Sequence, residues 1–257
     1  MYDGLNSMCS SMALPYSVAY LIELAPFRIW LHSEILINSR LIDLSMVRSL
    51  GFLGGEKFAM LYPKVRQFIQ SLNEIPIPIT PGVKKYPGHT VFWNAAMKSV
   101  AQAHGWTVQP KVLPGPNQPI GWTGDFSLTM SDGLRVFVEI ELGNAASAFR
   151  NFSKFDIATQ LDTYDLFLLG VPGPRGKLLT GYASDFDYIE KRQDFYRKFV
   201  HAPCCVFEIE PKSECDILEI SGVSPDEIID RPSEEWALKF IKNHRLESHL
   251  NLGKVMD

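Results

Sequence analysis

The run Tyr164-Asp-Leu-Phe-Leu-Leu-Gly-Val171 is apolar almost from end to end. A strand with one wet face alternates, whereas an unbroken run of this length suits a strand buried on both faces, with helices packed above and below its sheet. A stretch with helical spacing precedes it, from Ala145 to about Phe155, and before that an alternating strand ends at Leu142. Strand, helix, strand is a crossover unit, expected to be right-handed, so the sheet must hold parallel neighbours. The chain therefore reads as α/β, a mixed central β-sheet flanked by helices. Its 257 residues and 46% hydrophobic content suit one such domain. The expected parts are a helical segment over 1–74, a core over 88–210 and a helical extension over 211–257.

The strand ending at Leu142 carries the most specific chemistry. Residues Asp125 to Met130 alternate, with Phe126, Leu128 and Met130 on one face and Asp125, Ser127 and Thr129 on the other. Leu134 to Leu142 alternates as well, with Arg135, Phe137, Glu139 and Glu141 opposite the aliphatic positions. The turn sets the register. A two-residue Asp132-Gly133 loop would mix the two faces. A three-residue loop, Ser131-Asp132-Gly133, with Gly133 left-handed, pairs Met130 with Leu134 and sets Asp125 opposite Glu139. Like charges directly opposite destabilise a sheet, so a compensating divalent cation is implied. Mg²⁺ takes carboxylate oxygens and keeps several waters, which suits phosphate substrates.

The segment after this hairpin points the same way. Asn144, behind Gly143, is a good N-cap, and Ala145, Ala148, Phe149, Phe152 and Phe155 form an apolar stripe. Ser147, Arg150, Asn151 and Lys154 fall on the other side, read here as an open, anion-facing surface suited to DNA phosphate. Upstream, Ile75 to Gly124 holds no Asp or Glu but has Lys84, Lys85, Lys98 and Lys111. The formal charge of −4 does not advertise a nucleic-acid binder, but phosphate contact is a property of a patch.

Glu208-Ile-Glu210 repeats the Glu-x-Glu pattern without an acidic hairpin before it and reads as structural. Other elements are coarser: helices over 31–49, 57–72 (broken near Pro63), 185–200 and from Ser233 to about Leu250, and a strand over 204–210. Proline-rich linkers fill 75–87 and 110–119. Cys9, Cys204, Cys205 and Cys215 show no paired C-x-x-C spacing, which argues against zinc. The adjacent pair Cys204-Cys205 suits reduced thiols in a cytoplasm. The stretch Met12 to Leu24 is broken by Pro15 and Glu23, too short to span a membrane, and reads as a core or interface helix.

Asp125, Glu139-x-Glu141 and Gly143-Asn144 through Arg150 to Lys154 resemble the BamHI, BglII and BstYI group of type II restriction endonucleases, in the PD-(D/E)xK nuclease superfamily. BamHI-like enzymes carry glutamate where most of the superfamily has lysine, as Glu141 does; the BglII and BstYI branch has glutamine. Asn94-Ala-Ala-Met-Lys98 through His104-Gly105-Trp106 resembles a helix of that branch whose asparagine lies near the active site, which implies Asn94 as an accessory residue. The resemblance spans roughly Val91 to Glu210. It departs at Ala146, where BamHI has serine, and after Leu179-Thr180, where Gly181-Tyr182 replaces the base-reading Asp-Arg pair. Catalysis carries over; base readout does not.

What the resemblance implies is metal-assisted phosphodiester hydrolysis in double-stranded DNA. Asp125, Glu139 and the carbonyl of Ile140 would hold one or two Mg²⁺ ions, and Glu141 would orient or deprotonate water. Asn144, Ser147, Arg150, Asn151 and Lys154 would face DNA. A homodimer on a palindrome follows from having one motif per chain, and a cognate DNA methyltransferase is an expected companion. The alternatives are a superfamily nuclease of repair or mobile-element defence, and a DNA-binding module with a decayed site.

Overall fold

A computed structural model describes residues 47–82, 87–112, 122–143, 145–180, 184–229 and 232–252. Its contacts divide the chain into compact units over 1–44 and 45–257. Only the second is described, so Cys9, the stretch Met12 to Leu24 and most of the 31–49 helix lie outside the described residues.

The elements run β1 (Ser49–Phe52), α1 (Gly55–Leu61), α2 (Pro63–Glu74), β2 (Ile77–Ile79), α3 (Pro87–Ala103), β3 (Thr107–Val108), β4 (Phe126–Thr129) and β5 (Arg135–Ile140). Then come α4 (Ala145–Gln160), β6 (Leu166–Pro172), α5 (Pro174–Thr180), α6 (Phe186–Glu190), α7 (Gln193–Tyr196), β7 (Cys204–Ile209), β8 (Glu214–Asp216), α8 (Ile217–Ser221) and α9 (Glu234–Asn243). Six strands form one mixed sheet in the order β1-β7-β6-β5-β4-β3, and β2 pairs with β8 in a separate parallel ribbon. Within the large sheet β5, β6 and β7 are parallel, and β1, β4 and β3 join antiparallel.

Every residue of β6 is buried, as its apolar run requires. Leu166 and Leu168 enter a core with Phe92, Phe68 and Phe240, from α3, α2 and α9, while Phe167 and Leu169 enter a second with Phe155, Phe186 and Tyr196. Each such fully buried side chain contributes about 1.5–3 kcal/mol before entropy is counted. The sheet is thus sandwiched between two layers of helices, the expected α/β arrangement.

The β4–β5 hairpin adopts the three-residue loop. Thr129 pairs with Arg135, the Met130 N–H donates to the Leu134 carbonyl at 2.8 Å, and Gly133 sits at φ 88°. Asp132 fixes the turn: its Oδ1 accepts from the Leu134 N–H at 3.1 Å and its Oδ2 from the Tyr62 hydroxyl at 2.9 Å. One face is apolar as anticipated. The other is not wholly polar, because Phe137 is buried against Phe155, Phe167 and Tyr164 in the second core. Only the far end of that face is left for Glu139 and Glu141.

Several boundaries differ from the sequence reading. Ser49 begins a strand rather than ending a helix, because Ser49–Phe52 pairs with β7 across the sheet edge. The proline-rich linker over 75–87 contains β2, which tolerates Pro78 as an edge residue paired to β8. That pairing ties the stretch before α3 to residue 216, so 211–257 is not purely a helical extension. Residues 185–200 form two short helices with a turn at Lys191 and Arg192. The last helix starts at the Ser233 cap but stops at Asn243, with turns beyond it.

Candidate active site

Continuing the hairpin register by one residue from Phe126↔Val138 brings Asp125 beside Glu139. Gly124 makes this possible: a Cβ there would lie 2.2 Å from the Phe137 ring, so only glycine lets the chain pass. Asp125 then caps β5 with its own side chain, Oδ2 accepting from the Ile140 N–H at 2.6 Å. Two residues on, Glu141 folds back so that Oε1 accepts from the Gly143 N–H at 2.7 Å. A Cβ at position 143 would stand 2.6 Å from that oxygen, which accounts for the second glycine.

Helix α4 supplies the rest. Lys154 Nζ donates to Glu139 Oε1 at 2.6 Å and to the Thr123 carbonyl at 3.1 Å, and Asn151 Nδ2 donates to Glu141 Oε2 at 3.1 Å. Both side chains are buried, 5% and 1% exposed, so the open DNA-facing surface expected for them is not there. Ser147, half-buried, also bonds Glu141. Of the described members of that set, Arg150 alone is exposed; its Nη2 stands 4.0 Å from Glu141 Oε2 at the cleft mouth. Asn144 lies outside the described residues.

The misreading has a physical cause. Phe149, at one edge of the expected apolar stripe, is 42% exposed and packs on Phe195 at the surface. The buried face is turned by about one residue position, and Ala158, seven residues past Asn151 and buried, marks it. With that position counted, Asn151 and Lys154 fall towards the sheet.

Electrostatically the centre is under tension. Burial pushes Asp125 up to about 6, against the opposing pull of the Ile140 N–H and the Lys154 ammonium. Burial, then the adjacent Asp125, pushes Glu139 up to about 7, and Lys154 only partly offsets this. Glu141 is raised by burial too, with Gly143, Arg150 and Asn151 working the other way.

Around these groups lies one cleft, reached by Asn94 from α3, Gln109, Thr123, Asp125, Glu139, Ile140, Glu141, Arg150 and Lys154. A smaller adjoining cavity shares Asn94, Gln109, Asp125 and Ile140 and adds Lys98 and Glu234. The structure thus gathers Asp125, Glu139, Ile140, Glu141 and Asn94 in one place. Glu234, the first residue of α9, was not anticipated; its charge is felt by Asp125 and it pairs with Lys98 at 3.7 Å. Only the fold brings it there from more than a hundred residues away. Lys84 and Lys85 lie outside the described residues, and His104 bonds Ser71 at 3.0 Å without lining the cleft.

Two carboxylates, each with one oxygen that accepts no hydrogen bond from a described residue (Asp125 Oδ1 and Glu139 Oε2), fit a hard cation that completes its shell with a carbonyl and water. Among the described residues no three His, Cys, Asp or Glu side chains converge as a ready-made cage. None of the helices in the described residues is long and apolar enough to cross a membrane.

No family model matches the chain, and no curated protein sequence does. Among solved structures it is similar to the restriction endonuclease BglII complexed with a DNA 16-mer, with TM-score 0.46 and 11% identity over 66% of this chain and 78% of that one. Free BglII is similar at TM-score 0.40 and 11% identity, over 63% and 78%.

Proposed function

We propose that this chain is a Mg²⁺-dependent endonuclease of the restriction-endonuclease-like, PD-(D/E)xK kind, hydrolysing phosphodiester bonds in double-stranded DNA at a short palindromic site. The observation that carries the reading is the apposition of Asp125 and Glu139 at neighbouring strand ends, with Glu141 two residues on and a buried lysine between them and α4. A fold gains no stability from facing buried carboxylates, so the arrangement serves a ligand.

Asp125, Glu139 and the Ile140 carbonyl would hold the ion, which when bound supplies positive charge at the phosphate and an acidified water. The chain's own residues do the remainder. Lys154 favours the ionised form of Glu139, the form able to bind a cation. Glu141 is fixed by Gly143 and Asn151 with its basicity raised by burial, which suits a group that orients or deprotonates water. Asn94 reaches the same cleft from α3 as an accessory group. Arg150, at the mouth, is placed to meet a phosphate.

One centre per chain implies two chains for two strands, hence a homodimer on DNA. Digestion of a long linear duplex in Mg²⁺ tests site specificity: discrete bands are expected, and a smear would exclude a palindromic site. Sedimentation on a cleaved duplex is expected to give two subunits, and one subunit would overturn the dimer.

A further inference from the structure

Gln109 has no place in the account so far, yet it lines both cavities beside Asp125. Its backbone is unusual: φ is 52°, the left-handed region that L side chains seldom adopt, and Pro110 follows it. The kink is held from both sides. Before it, Thr107 and Val108 pair with Ser127 and Phe126; at it, the Gln109 N–H donates to the Asp125 carbonyl at 2.9 Å. After it, the Gly124 N–H donates to the Pro110 carbonyl at 2.9 Å. Pairing with β4 therefore over-determines the conformation, a pattern typical of strain retained at working sites.

Its carboxamide is exposed and makes no hydrogen bond to a described residue. Two cations of these cavities are already paired, Lys98 with Glu234 and Lys154 with Glu139, and Arg150 stands further out at the mouth. A nucleic-acid strand entering the cleft thus meets an uncommitted amide donor next to Asp125. Resting on the nuclease reading, we infer that Gln109 is a substrate-binding residue whose NH₂ donates to a non-bridging oxygen of the phosphodiester backbone beside the scissile bond. A neutral donor suits this position, because it binds phosphate oxygen without drawing Asp125 away from a metal as a lysine would.

The backbone supplies a clean test. Glycine adopts positive φ freely, so Gln109→Gly should leave the thermal midpoint unchanged or raised. In the same protein, cleavage of a several-kilobase linear duplex in Mg²⁺ should fall roughly 10- to 100-fold, the worth of a hydrogen bond to a charged group. Gln109→Glu keeps the shape but turns donor into anion, and should lose more than the glycine variant. Wild-type cleavage with an equally active Gln109→Gly overturns the role of Gln109 alone, as does a Gln109→Glu variant no worse than the glycine one. A wild-type protein that leaves the duplex intact overturns the nuclease reading and this inference together.

Discussion

Two Glu-Ile-Glu sequences end strands of the same sheet, Glu139-Ile140-Glu141 on β5 and Glu208-Ile209-Glu210 on β7. Each strand has a parallel neighbour in β6 and an antiparallel neighbour on its other side. By register, the residue opposite Glu139 is Asp125 and the residue opposite Glu208 is Arg48. That one difference separates their chemistry. Arg48 reaches Glu208 at 3.3 Å and shares its charge with Asp187 and Glu190, so an acid network is closed around a cation. Glu210 is consumed by the Arg175 N–H. At β5 a carboxylate faces a carboxylate, Lys154 offsets only part of the repulsion, and one oxygen of each accepts from no described residue. A motif of three residues says little; the residue across the ladder says whether it is a brace or a site.

The contrast is broken most forcefully by neutralising one glutamate in each. Glu139→Gln should lower Mg²⁺-dependent cleavage by on the order of 10³-fold, since the proposed chemistry rests on a bound ion. Glu208→Gln should leave turnover unchanged. Equal losses in a plasmid digestion assay would erase the distinction.

The cations opposite each acid come next. Lys154→Met strips a buried carboxylate of its partner and should cost about 3–5 kcal/mol in urea unfolding, partly recovered by adding Glu139→Gln. Arg48 is 44% exposed at its side chain, so Arg48→Met should cost about 1 kcal/mol or less. A Lys154→Met protein as stable as wild type would show that the ammonium is not needed to hold Glu139.

A pH effect follows from the same tension. Asp125 and Glu139 are held above their ordinary carboxylate values, at about 6 and about 7. Folding therefore favours their protonated forms: the stabilisation is complete below the unfolded values near 4 and is lost as pH rises through 6 to 7. Without divalent ions the protein should be less stable at pH 8 than at pH 5 by on the order of 4 kcal/mol from this pair. The Asp125→Asn, Glu139→Gln double variant should flatten that slope, and Mg²⁺ should restore stability at pH 8 by mass action. A thermal midpoint in EDTA that climbs steadily from pH 5 to 8 in wild type, with the double variant alike, would contradict it.

The smallest expected effect is on affinity. Arg150→Ala should reduce the slope of log K against log salt for duplex DNA by about one unit. An unchanged slope would remove Arg150 from the phosphate-facing groups.

Much of this was legible because short-range rules govern it. The left-handed Gly133 fixed the hairpin loop, the loop fixed the register, and the register set Asp125 opposite Glu139. The buried run of β6 announced the sandwich. What escaped depends on distant partners. The rotation of α4 is set by the aromatic core around Phe137, so Asn151 and Lys154 turn inward although their polarity suggested solvent. Glu234 arrives through packing of α9 on α3, where Phe240 meets Phe92. The β2–β8 ribbon joins segments far apart in the chain, and a proline-rich stretch gives no local sign of it.

The central claim, that Asp125 and Glu139 form a metal-dependent centre for phosphodiester hydrolysis, is tested most directly by one digestion. Purified wild-type protein and Asp125→Asn are incubated with a linear duplex of several kilobases, each with Mg²⁺ or with EDTA, after thermal melting has shown both folded. The account predicts fragments only for wild type with Mg²⁺ and intact DNA in the other three reactions. Fragments from Asp125→Asn in Mg²⁺ at the wild-type rate, or an uncut duplex throughout, would contradict it.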